Sequence, residues 1–68
     1  MTSEVKPVDV YDKQGNLTHI EFLDVTNDKF MFDAIWDPRD PQDNEHRKLF
    51  REWACHMAEQ LGFKVITL

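Results

Sequence analysis

Apolar residues recur at two periods along the chain, every second position as far as Trp36 and every third or fourth beyond Pro41. A period of two marks strands with one face inward, and a period near 3.6 marks an amphipathic helix. Val8, Val10 and Tyr11 lead into Asp12-Lys13-Gln14-Gly15-Asn16, where an aspartate at the first turn position and a glycine at the fourth suit a type I turn closed by a bulged glycine. Such a loop pairs Asp12 with Asn16, and hence Val10 with Thr18 and Val8 with Ile20. A second strand from Leu17 to Val25 reaches the polar turn Thr26-Asn27-Asp28-Lys29, and a third runs from Phe30 to Trp36. Pairing Phe22 with Phe32 and Ile20 with Ala34 keeps one apolar face continuous, with Phe30 and Trp36 as further members.

Asp37-Pro38-Arg39-Asp40-Pro41 ends the third strand, because proline lacks a donor and biases its predecessor toward extended geometry. Asp40 as N-cap, Pro41 at the first helical position and Asp43 in the first turn then start a helix that runs to Leu61, with Gly62 as its left-handed stop. Leu49, Phe50, Trp53, Ala54, Met57 and Leu61 fall on one stripe of that helix, while Lys48, Arg51, Glu52, Cys55 and Glu59 fall opposite. Phe63 to Thr67 reads as a last short strand. The expected architecture is a two-layer α+β domain of order β-β-β-α-β, a mostly antiparallel sheet with one long helix on one face. If the last strand lies parallel to the first or the third, the helix forms the crossover.

Length and cysteine content narrow the picture. At 68 residues the chain is a single domain spanning residues 1–68, with residues 1–6 expected as a flexible N-terminal segment. Ordering it costs on the order of 100 kcal/mol, so burial has to be efficient. One cysteine, Cys55, excludes an internal disulfide, and no Cys/His spacing suits structural zinc. No cofactor or metal is expected. His56 stands about 100° from Cys55 on the helix, which disfavours a thiol–imidazole nucleophile pair and leaves Cys55 as an outward thiol. No apolar run approaches the roughly 18 residues of a membrane span, no signal peptide is evident, and the expected compartment is the cytoplasm.

Charge changes the picture more. The formal net charge of −5 is concentrated between Glu21 and Glu45, where Glu21, Asp24, Asp28, Asp33, Asp37, Asp40, Asp43 and Glu45 meet only Lys29 and Arg39. Such a segment repels phosphate and anionic lipid, so neither direct nucleic-acid binding nor membrane binding is expected. The strand register leaves an outer sheet face of Asp9, Tyr11, Leu17, His19, Glu21, Leu23, Met31, Asp33 and Ile35, too apolar for a face that meets only water. Glu21 stands opposite Asp33 there, and Asp9 opposite His19.

These features point to a small acidic, non-enzymatic interaction protein that binds, and inhibits or modulates, a larger protein with a basic or mixed surface. Tyr11, Leu23, Met31 and Ile35 would supply apolar contact, and Glu21, Asp24, Asp33 and Asp37 would steer association. A nucleic-acid mimic, its carboxylates standing in for phosphates, is the alternative reading. A metal-dependent enzyme built on Asp9, His19, Glu21 and Asp33 ranks lower because no recognised ligand spacing is present. A homodimer packed through the outer faces would make the apolar patch structural.

Overall fold

A computed structural model describes residues 3–67. Its elements are β1 (Glu4–Tyr11), β2 (Leu17–Asp24), β3 (Phe30–Ile35), α1 (Asn44–Gln60) and β4 (Lys64–Val65), the expected β-β-β-α-β order. The sheet order is β3-β2-β1-β4. β4 runs parallel to β1, with Val65 beside Val5, so α1 is the crossover that carries the chain from one edge of the sheet to the other. Glu4, Val5 and Lys6 therefore belong to a strand and not to a flexible tail, and Val5 is fully buried. Met1 and Thr2 of that expected tail lie outside the described residues.

The first turn forms as its sequence requires. Asp12 N donates to Asn16 O at 2.9 Å, the Asp12 carboxylate accepts from Gln14 N and Asn16 N, and Gly15 takes φ 82°, a conformation glycine adopts without a Cβ penalty. Beyond the turn the register departs from expectation. Tyr11 pairs with Leu17, but Val10 pairs with His19 and Asp9 with Ile20, leaving Thr18 as a bulge. Thr18 Oγ1 donates to Val10 O at 3.1 Å, a side-chain bond that holds the extra residue in place. A one-residue shift turns a strand over. Val5, Pro7, Asp9 and Tyr11 consequently face the helix, and Val8 and Val10 face outward, the reverse of the sequence reading. Leu17 also moves inward and is buried.

The β2–β3 pairing follows expectation, with Ile20 opposite Ala34, Glu21 opposite Asp33 and Phe22 opposite Phe32. A second bulge, at Met31, then sets Phe30 opposite Leu23, which removes Phe30 from the inner face and leaves it half exposed.

α1 begins three residues later than the prolines suggest. Asp43, not Asp40, is the N-cap, its carboxylate accepting from His46 N at 2.7 Å. Gln42 is held out of the helix because its side chain clamps Leu17: Leu17 N donates to Oε1 at 2.9 Å, and Nε2 donates to Leu17 O at 3.0 Å. At the other end Gly62 has φ 96° and Phe63 N donates to Ala58 O, the six-to-one bond of a Schellman stop.

The core joins Val5, Ile20 and Phe22 of the sheet to Ala54 and Ala58 of the helix, with Phe32, Phe50, Phe63 and Val65 packed around them. Phe22 stacks on Phe32 at 4.7 Å, and Phe32 meets Phe63 at 5.0 Å. The two alanines let the helix backbone approach the sheet closely. The helix is thus rotated by about one residue, ~100°, from the orientation that its largest apolar side chains suggest. Cys55 turns in and packs against the core, and Leu49, Trp53, Met57 and Leu61 turn out.

Candidate interaction surface

The outer sheet face is built by three rows that cross β1, β2 and β3. The middle row is Val8, Glu21, Asp33; one neighbour is Val10, His19, Ile35; the other is Lys6, Leu23, Phe30. Two carboxylates therefore stand side by side at the centre, between apolar residues on both flanks. Ile35 is 65% exposed, Phe30 51% and Val8 36%. Like charges directly opposite destabilise a sheet. His19 modifies the centre on one side: its Nε2 lies 3.2 Å from Glu21 Oε1, and its Nδ1 lies 2.9 Å from Thr18 Oγ1. Among the described residues Asp33 makes no ion pair.

Of the residues singled out in the sequence, Glu21, Leu23, Asp33 and Ile35 do come together on this face. Tyr11 does not. It lies on the helix side, its hydroxyl 3.2 Å from Asp9 Oδ2 and its ring 5.9 Å from the Arg47 guanidinium carbon, an arrangement that favours a cation over the ring face. Met31 occupies the β3 bulge at the rim. Asp24 and Asp37 serve their own turns: Asp24 accepts from Thr26 N, and Asp37 accepts from Arg39 N and from its guanidinium. The Arg39 side chain, and then its backbone N–H, hold the Asp37 carboxyl below the usual carboxylate range.

Much of the remaining acidity is spent locally in the same way. Asp28 pairs with Lys6, Asp43 caps the helix and contacts His46 Nδ1, and Asp9 forms an ion pair with Arg51 under the helix. Glu21 and Asp33 are the pair with neither a turn nor a cap to serve. Asp9 is on the opposite face from His19, Glu21 and Asp33, and among the described residues no His/Cys/Asp/Glu cluster is arranged to hold a metal. Burial, then the nearby Glu59 charge, push the Cys55 thiol up, away from a reactive thiolate.

Sequence reasoning missed two features. Val8 and Val10 join the outer face, because the parity of β1 is set by the buried Val5 at its start. The helix also carries an exposed apolar ridge, Leu49, Trp53, Met57 and Leu61, whose signal was present as repeats at i, i+4 beside the small-residue pair Ala54 and Ala58. No family model matches the chain, and no curated protein and no solved structure is significantly similar to it. No helix among the described residues is long and apolar enough to cross a membrane.

Proposed function

We propose that this protein is a non-enzymatic interaction module that binds and modulates a larger cytoplasmic protein through its outer sheet face. The observation that carries the reading is the Glu21–Asp33 pair, set opposite each other across two strands and bordered by Val8, Val10, Leu23 and Ile35. Like charges opposite each other on β2 and the edge strand β3 cost stability in the free protein, and Asp33 has no ion-pair partner among the described residues to relieve it. A lysine or arginine of the partner, seated between the two carboxylates, offsets that cost while the flanking side chains exclude water from the contact. The acidity disfavours nucleic acid as the ligand.

The test is affinity capture from host lysate with wild type and with Glu21→Gln/Asp33→Asn as bait, at low and high salt, with mass spectrometry of the retained proteins. A protein held by wild type at low salt, weakened by salt and lost with the variant supports the reading. Retention of the same proteins by both baits overturns it, since the variant keeps the apolar flanks and removes only the charge.

A further inference from the structure

We infer that the protein forms a symmetric homodimer through the open edge of β3 and the apolar ridge of α1, a surface that adjoins the outer sheet face along β3. The helix does not cover the sheet evenly. Its inner flank is tied toward β1, Arg51 to Asp9 and Arg47 over Tyr11, while its other flank faces β3, where Phe50 meets Trp36 at 5.0 Å and Trp53 at 5.8 Å. Val5, Ile20 and Phe22 on the inner sheet face are sealed, whereas Phe32 and Ala34 of β3 are only half-buried. Beside them Leu49, Trp53, Met57 and Leu61 are 39–64% exposed. The ridge side chains are themselves uncharged, with His46, His56 and Gln60 beside them and the carboxylates of Asp40, Glu45 and Glu52 at the margin.

A second copy fits this surface because it supplies a strand and an apolar ridge at once. A dyad perpendicular to the sheet pairs β3 antiparallel with its counterpart, keeps both helices on one face, and turns the two ridges toward each other. Trp36 N donates inward to Thr18 O, so by the alternation of an antiparallel ladder the N–H groups of Asp33 and Ile35 point to the open edge and are available for pairing. The register that sets Asp33 opposite its own counterpart is disfavoured by charge, which leaves registers centred on Phe32 or Ala34. Edge strands are commonly protected by lysine, proline or a bulge; β3 carries no lysine or proline, and its bulge at Met31 lies before the Asp33–Ile35 stretch.

The area suffices. Four ridge side chains at these exposures present on the order of 400 Å² per copy, taking roughly 200 Å² per large side chain. Two ridges bury about 800 Å², and the strand edge with Phe32 and Ala34 carries the total past the roughly 1,000 Å² that a specific interface needs. Two chains of net charge −5 repel, and Asp33 on the β3 edge and Asp40 beside Leu49 and Trp53 add to that repulsion, so the apolar area has to outweigh it.

Sedimentation equilibrium of wild type over a broad concentration range is the test. The expected result is a species of twice the 8.1 kDa chain mass. Trp53→Glu should weaken self-association on the order of thirtyfold or more, the loss typical when a central tryptophan is removed. Leu49→Lys, at a side chain 56% exposed, and Ile35→Pro, which removes an edge N–H, should each shift the equilibrium to monomer, with circular dichroism confirming the fold. A wild-type monomer up to millimolar concentration overturns the inference. So does a dimer that persists in folded Leu49→Lys and Ile35→Pro variants.

Discussion

The two faces of this domain are both partly apolar, yet they are built on different physical terms. The outer sheet face has a charged centre, Glu21 against Asp33, and apolar flanks. The helix ridge has an apolar centre, Trp53 between Leu49 and Met57, and no formal charge along its crest. The first is suited to choosing a partner by charge and to steering its approach. The second selects little by charge and gains from area, which fits a partner already matched in shape by symmetry. Salt separates them: added salt should weaken capture through the sheet face and shift the dimer equilibrium, if at all, toward dimer, because it screens the repulsion between two chains of net charge −5.

The largest effect on this division should come from Arg51. Its ion pair with Asp9 fixes the rotation of α1, burying Ala54 and Ala58 and presenting the ridge. Arg51→Ala leaves Asp9 facing the helix without a partner. Fully buried pairs cost more to break, but the Arg51 and Asp9 side chains are 42% and 22% exposed, so solvent screens the loss to about 1–2 kcal/mol. For a domain of this size that lowers Tm by roughly 4–8 °C per kcal/mol. Asp9→Asn/Arg51→Gln should recover part of the loss, since neither neutral group then carries an unpaired charge. A melt in which Arg51→Ala matches wild type would detach the ridge from this pair.

The opposite sign is expected at Asp33. Asp33→Asn relieves the repulsion with Glu21 and should stabilise the free protein by about 0.2–1 kcal/mol, read from chemical denaturation. The same change should weaken capture. Stability gained as binding is lost would mark the carboxylate pair as kept for recognition, whereas a destabilised Asp33→Asn would mean that Asp33 serves the sheet itself.

What the sequence disclosed follows the range of the interactions involved. The first turn, the Gly62 stop and the Glu21–Asp33 pairing depend on residues close in sequence or on one strand-to-strand register, and all three were legible. β1 was not, because its facing depends on Val5 at one end and on a Thr18 bulge at the other, and neither is encoded in the alternation of Val8 and Val10. The helix rotation was hidden for a related reason. Large side chains dominate an apolar stripe, whereas the buried line is set by the small Ala54 and Ala58 and by an ion pair linking Asp9 to Arg51 across most of the chain. The two departures share one cause: Asp9 and Arg51, which the sequence pattern places outward, face each other between sheet and helix.

The smallest effect concerns pH and reports from the ridge end of the helix, since His46 lines the same trough as Leu49 and Trp53. Hydrogen bonding to the Asp43 carboxylate holds His46 above its ordinary value of 6.5, and the His46 backbone N–H, then its ring, hold Asp43 below 3.8. A raised imidazole contributes stability that is complete below 6.5 and is lost as pH rises through the raised value. A lowered carboxyl contributes stability that is complete above 3.8 and is lost as pH falls through the lowered value. The two windows overlap between these limits. The Tm difference between wild type and His46→Gln should therefore be greatest in mildly acidic solution and close on both sides, by a small amount because both groups are open to solvent. A difference that instead widens above neutral pH would show that His46 acts through packing at the mouth of the trough and not through its charge.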